Sequence, residues 1–363
     1  MISPLQWCVC IPTYKRANLL IELIEDIKNQ IVNPGYILIV DGDPVSYDVV
    51  EVLKKIKTNS ISIIYIPSNH GNLSYQRYLG WKAAQKMSVD FLLYLDDDLR
   101  IPHPDAIQQV LAPLCQNAAI VGATAHIRMG AWDEKFSAYQ ALTDRAGSQD
   151  DRWWIRLLGS SRNRSAGSVT PSGHRTQPDL TTAGTYVGVQ WLRGGVMAYR
   201  MSALRQDCFS EDLFALYHIR CGKGEDTFLS RQVLKYGKLV YVKNASFEHP
   251  NADTPKTYPV TAFRLGFSSA YSRRFLNDHY RITELPRFLD RMALIKSYLG
   301  NNLINFVRAM THPRRHRWAY AWGYLRGSLR GLLQKPTAHN LTPQINWWQD
   351  AEEALQGEVI LTP

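Results

Sequence analysis

Four apolar residues followed at once by three carboxylates, Leu92-Leu93-Tyr94-Leu95-Asp96-Asp97-Asp98, constrain this chain more than any other stretch. The apolar run predicts a buried strand. Burying three carboxylates without partners would be very costly, so the triplet belongs at an open strand end. Side chains two apart share a face of a strand, which predicts Asp96 and Asp98 on one side and Asp97 on the other. Oxygen ligands at such an end suit Mg²⁺ or Mn²⁺, ions that commonly bridge one or two carboxylates to substrate phosphates. Taken alone, the triplet leaves two readings open, a metal–diphosphate site or a solvated acidic turn.

The flanking pattern supplies context. Apolar runs at Gln6–Ile11, Tyr36–Val40, Ile61–Ile66 and Phe91–Leu95 read as strands. Between them lie helical repeats: Leu20, Leu23, Ile24, Ile27 and Ile31; about Val45–Lys57; and Tyr75, Leu79, Ala83 and Met87. Short links between alternating strands and helices predict βαβ units and a parallel sheet. In such sheets ligands bind beyond the carboxyl ends of the strands. No GxGxxG follows the first strand and no GxxxxGK[ST] occurs, so neither a dehydrogenase nor a P-loop site is supported.

Further on, Pro104–Leu114 predicts a helix and Ala119–Ile127 a strand. The stretch 130–158 is aromatic-rich, with Trp132, Trp153 and Trp154, and 159–184 reads as a long mobile loop. Strands are expected at Tyr186–Leu192, Val196–Tyr199, Leu239–Val242 and Ala245–Phe247, and a helix over about Gly224–Tyr236. Beyond about residue 262 the pattern is helical to about Leu333.

The order of landmarks resembles that of the family-two glycosyltransferases with the GT-A fold. The matching pieces are Ile11-Pro12-Thr13-Tyr14-Lys15-Arg16, Val40-Asp41-Gly42-Asp43, and Asn69–Gly80 with Gly71, Asn72 and Arg77. They continue with Asp96-Asp97-Asp98, Gly194-Gly195-Val196-Met197-Ala198-Tyr199-Arg200 and Gly224-Glu225-Asp226. The likeness spans roughly residues 5–250. It implies an α/β fold of GT-A type: a Rossmann-like, mostly parallel central sheet flanked by helices, with a C-terminal helical basic extension. It implies inverting transfer of a single sugar from a nucleoside diphosphate sugar, using Mn²⁺ or Mg²⁺. By the resemblance, Asp98 is the metal ligand and Asp96 and Asp97 lie near the ribose and diphosphate. Pro12 and Thr13 frame the nucleotide. Asp41 accepts a hydrogen bond from the base, which would suit a UDP- or dTDP-sugar. Arg16, Asn72 and Arg77 join the nucleotide contacts, although for the two arginines a surface charge on a helix is equally open.

Asp226 is the expected general base, because a carboxylate within reach can take the proton of an attacking hydroxyl. Acidic residues in a first helical turn are also favoured by the macrodipole alone. Glu225 is a hydrogen-bonding neighbour. Gly194 and Gly195 would let backbone approach donor or acceptor, or form a plain turn. His249 is a candidate second metal ligand or a hydrogen-bonded structural residue. Processive synthases of the family carry a Gln-x-x-Arg-Trp motif, absent here. A nucleotidyltransferase would want a basic glycine-rich loop after the first strand, also absent. A non-catalytic nucleotide-sugar-binding module is the remaining alternative.

The expected organisation is a catalytic domain over 1–258 (nucleotide half 1–125, acceptor half 126–258), a basic helical region over 259–340 and a tail over 341–363. The net charge of +10 is uneven: residues 264–335 hold 14 of the 42 Lys/Arg but only 3 of the 32 Asp/Glu. There Arg314, Arg315 and Arg317 precede Trp318, Tyr320, Trp322 and Tyr324, then Arg326 and Arg330. Trp318, Trp322, Leu325, Leu329 and Leu332 share one helical face. That pattern predicts a helix on an anionic membrane surface, where a glycan or lipid-linked acceptor would reside. A helix docked on the catalytic domain is the other reading, and no nucleic-acid motif accompanies the charge. Gly323, Gly327 and Gly331 recur every fourth residue and call for a packing reason, since each weakens a helix by about 1 kcal/mol. The first apolar run is too short for a signal peptide, no stretch nears the ~18 apolar residues of a membrane span, and five scattered cysteines fit reduced thiols. The expectation is a cytoplasmic protein held peripherally on the inner face of the membrane.

Overall fold

The structure is a computed structural model that describes residues 6–46, 48–56, 61–128, 165–170, 172–250, 259–279 and 287–361. The aromatic stretch 130–158 lies outside the described residues. The first four strands are β1 (Trp7–Thr13), β2 (Tyr36–Asp41), β3 (Ser62–Pro67) and β4 (Phe91–Leu95). They pair in parallel in the order β3-β2-β1-β4, with Thr13 level with Asp41 and Cys10 with Tyr94. All four therefore end on the same edge. Pro12 does not break β1, which runs on to Thr13 beside β2.

The sheet continues through β7 (Val196–Arg200), β5 (Ile120–Arg128), β8 (Lys238–Glu248) and β6 (Tyr186–Val189). Of the nine strands among the described residues six point one way, while β6, β7 and β9 (Val359–Leu361) run against them. The two runs expected at 239–242 and 245–247 are one strand, β8, with a shift of register opposite Ala125 and His126.

Period-two alternation sorts the strand residues onto the two faces. Val9, Ile11, Ile37, Ile39 and Leu93 pack with α1 (Ala17–Lys28), α2 (Asp48–Leu53) and α4 (Ala106–Gln116). Cys8, Cys10, Leu38, Val40 and Tyr94 pack with α3 (Leu73–Gln85), α5 (Glu211–His218) and α6 (Glu225–Val233). The helix expected over 45–57 is reduced to α2 and a preceding 3-10 turn. All five cysteines are free thiols.

Three long helices follow: α7 (Pro259–His279), α8 (Arg287–Thr311) and α9 (Arg315–Leu333). Tyr271, Phe275 and Leu276 of α7 dock on Leu213, Leu216 and Phe228 of α5 and α6. The glycine repeat has its reason here. A Cβ on Gly323 would lie 2.0 Å from Phe263 O, and one on Gly327 2.4 Å from Phe267 O. Helix α9 thus presses its backbone onto α7. Residues 341–363, expected as a tail, contain α11 (Trp347–Gln356), which follows the short α10 (Ala338–Leu341), and then β9. Trp347 is fully buried against Tyr75 and Phe214, and β9 pairs with β3. Among the described residues no helix is long and apolar enough to cross a membrane.

Candidate active site

The carboxyl ends of β1 and β4 bring the first set of residues together. Strand β4 stops at Leu95, and the triplet forms a turn in which Leu99 N donates to Asp96 O at 3.3 Å. Strand alternation therefore does not govern it. Asp97 and Asp98 share one guanidinium, Arg16 Nη1, at 3.1 and 2.6 Å, whereas Asp96 turns to Arg77. Thr13 Oγ1 donates to Asp97 at 2.8 Å. Lys15, with φ +58°, sits in the left-handed region between Thr13 and Arg16, a local strain of the kind that persists where surroundings enforce it.

Arg77 joins this set to the second. Its side chain is only 2% exposed and stands over the Tyr94 ring. Nη2 donates to Asp96 Oδ1 at 2.9 Å and to Gly194 O at 2.7 Å, while Nη1 donates to Glu225 Oε1 at 3.0 Å. One buried cation thus ties β4, the turn before β7 and the start of α6. It is no surface charge. Gly194 lies against the acidic pair: a Cβ there would stand 3.3 Å from Asp226 Oδ2 and 3.4 Å from Glu225 Oε1. Gly195 O accepts from Asp96 N at 3.1 Å. Ser230 Oγ, donating to Asp226 O and accepting from Leu192 N, fixes α6 against the same turn.

Asp226 accepts from its neighbour Thr227 N at 2.6 Å and, through Oδ2, from Arg175. Arg175 stands over Trp191, its Cζ 4.6 Å from the ring centroid. No motif marked it, since it falls in the stretch expected to be a mobile loop. The described residues 165–170 and 172–178 instead fold back on one another as a hairpin, with Val169 bridging Arg175. Thr176 N donates to Ser168 O, Thr170 N to His174 O, and Trp191 Nε1 to Thr176 O. Hydroxyls complete it, with Thr176 Oγ1 accepting from Ser168 N and Thr170 Oγ1 from His174 N. These side-chain bonds to backbone, with Val169 buried against Trp191, hold an otherwise polar segment.

Electrostatics separate the carboxylates. Burial pushes Asp97 up to about 6 against Thr13 and Arg16. Burial, then Asp226, push Glu225 up to about 7. Burial opposes ionisation of Asp98 too, but there the His249 hydrogen bond and Arg16 prevail and hold it below the usual carboxylate range. His249 reaches Asp98 because β8 runs past the triplet: Arg100 and Glu248 exchange both backbone hydrogen bonds, and His249 Nε2 lies 3.2 Å from Asp98 Oδ1.

This pair fits a divalent cation. An ionised carboxylate and an imidazole nitrogen form an acceptable O/N donor set for Mn²⁺, and the buried Nδ1 of His249 has no hydrogen-bond partner. Among the described residues no three His, Cys, Asp or Glu side chains enclose a metal by themselves. Remaining positions would fall to diphosphate oxygens and water, the usual arrangement for such ions.

Three expected nucleotide contacts are engaged elsewhere. Asp41 is fully buried, accepting from Asp43 N at 2.9 Å and Tyr65 OH at 3.0 Å. It braces the strand end and presents no free surface to a base. Asn72 is the N-cap of α3, accepting from Tyr75 N at 3.2 Å and donating to Phe214 O at 2.7 Å. Asp97, 5% exposed, spends both oxygens on Thr13 and Arg16. Pro12 and Thr13 do lie at the strand ends, but both are buried.

Residues 8–177 match the profile of "Glycosyl transferase family 2". No curated protein sequence matches the chain. Among solved structures the fold is similar to a mannosyltransferase, PcManGT from Pyrobaculum calidifontis, in complex with GDP-Man and Mn²⁺ (13% identity, 90% of this chain and 87% of that one, TM-score 0.48). It is similar to TarS 1–349 of S. aureus (13% identity, 97% and 88%, TM-score 0.48) and to GalNAc-T7 with UDP, GalNAc and Mn²⁺ (14% identity, 86% and 59%, TM-score 0.47). The family match covers the strands that build the site, and with the mixed α/β sheet and its order it supports a family-two glycosyltransferase of GT-A type.

Proposed function

We propose that the protein transfers a single sugar from a nucleoside diphosphate sugar to a hydroxyl group, with inversion and with Asp226 as general base. The observation that supports this best is Arg77, which holds Asp96 and Glu225 on one guanidinium and so gathers the triplet and the Glu225-Asp226 pair into a single site. Asp98 and His249 would hold Mn²⁺ or Mg²⁺. When bound, the ion supplies Lewis-acid stabilisation of the charge that grows on the departing diphosphate. The acceptor hydroxyl gives its proton to Asp226 as its oxygen bonds to the anomeric carbon. The carbon–oxygen bond to the diphosphate breaks on the opposite face, and the nucleoside diphosphate leaves. Arg175 now occupies Oδ2 of Asp226, so the acceptor must share or displace that contact. Gly194, with no side chain, leaves room beside the base.

A uracil or thymine base, as in a UDP- or dTDP-sugar, would need Tyr65 to yield its bond to Asp41. The acceptor in this reading is a glycan or a lipid-linked one, met at the inner face of the membrane, where the basic helical region 259–340 contacts anionic lipid. The test is a panel of nucleotide sugars with Mn²⁺, read as nucleoside diphosphate release. Wild type should turn over one donor class, and Asp226→Asn should bind that donor and transfer about 10²–10⁴-fold more slowly. Equal turnover by the two proteins contradicts the assignment of Asp226.

A further inference from the structure

Helix α8 buries one side and leaves the other bare. Leu294 and Tyr298 face Ala270 and Tyr324 of α7 and α9, and Tyr298 OH donates to Ala270 O at 2.9 Å. On the opposite side Phe288, Met292, Leu299, Leu303, Val307 and Met310 are 67, 47, 69, 51, 42 and 59% exposed. Their spacings of three, four and seven place them on one stripe, about 33 Å long at 1.5 Å per residue. Isolated apolar side chains on a surface are ordinary, but a continuous ridge of this length marks an interaction site. Trp322 of α9, 54% exposed, packs edge-on against Phe306 of α8 with centroids 5.3 Å apart and widens the ridge.

The helices that carry this ridge have charge of almost one sign, although Asp212 and Asp278 line the pocket beside Phe288 at its start. Residues 287–335 contain ten Lys/Arg and one acidic residue, Asp290, which is only 8% exposed. Arg291, Lys296 and Arg308 on α8, Arg314 and Arg315 at the turn, and Arg326 on α9 are exposed. A second copy docked on the same face would oppose these cations with their own like, which an isologous contact penalises. An occupant that is apolar beneath and anionic above meets both features.

We propose that the exposed face of α8, widened by Trp322, lies in the plane of an anionic phospholipid bilayer, its apolar ridge in the acyl boundary and its arginines among the phosphates. This rests on the membrane reading above for the kind of partner, and it moves the inserting element from α9 to α8. The buried side of α8 also reaches the catalytic hairpin: Ser297 Oγ is 3.1 Å from His174 Nε2, and the next residue, Arg175, holds Asp226. A docked α8 therefore sets the base close to the bilayer, where a lipid-linked acceptor is presented.

Co-sedimentation of the full chain with vesicles tests this. Wild type should pellet with mixed phosphatidylcholine–phosphatidylglycerol vesicles and much less with phosphatidylcholine alone. The double variant Leu299→Glu/Leu303→Glu should bind the mixed vesicles roughly tenfold less or worse, through lost apolar burial. Val45→Glu, at an 80% exposed apolar residue in the turn after β2, should bind as wild type does. Thermal melts and donor binding, unchanged in both variants, show that fold and donor site are intact. Wild-type binding by the double variant overturns the α8 assignment, and if Arg314→Ser/Arg315→Ser then abolishes binding, the basic segment alone carries attachment. Absence of vesicle binding by wild type overturns both membrane readings and leaves the donor reaction untouched. A dimer that the double variant converts to monomer, with no vesicle binding, assigns the ridge to self-association and also overturns the proposal.

Discussion

Arginine is used in opposite ways at the two ends of this molecule. Arg77 is almost completely buried and is neutralised by the protein's own carboxylates, Asp96 and Glu225. Arg291 and Arg308 of α8 and Arg315, Arg326 and Arg330 of α9 stand on the surface, with Asp290 the one acidic residue of the 49 in 287–335. The first arrangement fixes geometry inside the molecule, because removing one member of a buried pair strands the others. The second leaves charge free to meet something outside. Substitutions should therefore cost most at the strand ends and least on the helical surface.

The steepest loss is expected for Arg77→Met, which leaves Asp96 and Glu225 without their cation. Unfolding free energy should fall by about 3–5 kcal/mol, as for other broken buried pairs, read from denaturant melts. A loss under about 1 kcal/mol would place Arg77 among ordinary surface charges. Asp226→Asn should lower transfer about 10²–10⁴-fold, the range for removing a general base, with donor affinity kept. Gly323→Val would overpack α9 on α7 and should cost about 1–3 kcal/mol of stability, with the donor reaction retained in the folded fraction. Arg315→Ser should change stability by no more than about 0.5 kcal/mol, since it sits on the exposed surface. A large loss there would mean that the basic face supports the fold and erase the contrast.

Much of the architecture was legible because apolar period separates strands from helices, and β1 to β4 follow it closely. The side-chain partnerships were not. Alternation along a strand predicted Asp96 and Asp98 together, but the chain turns at Leu95 and Arg16 gathers Asp97 with Asp98. Asn72 and Asp41 look like ligand contacts by their place in the motifs, yet a cap and a buried brace consume their oxygens. Arg175 had no signal, because a hairpin held by hydroxyls has no apolar period. Helix α11 did have one: Asn346 caps it, accepting from Gln349 N, and Trp347, Ala351, Ala354 and Leu355 recur at helical spacing. Its shortness hid it, and the three residues of β9 carry too little pattern to show that the sheet continues.

The central claim is that Asp98 and Asp226 serve one site in different capacities. Calorimetric titration of wild type, Asp98→Ala and Asp226→Asn with the preferred nucleoside diphosphate, in Mn²⁺ and again in EDTA, tests it most directly. The account predicts binding by wild type and by Asp226→Asn that EDTA abolishes, and none by Asp98→Ala under either condition. Binding by Asp98→Ala that equals wild type, or that ignores EDTA, would contradict it.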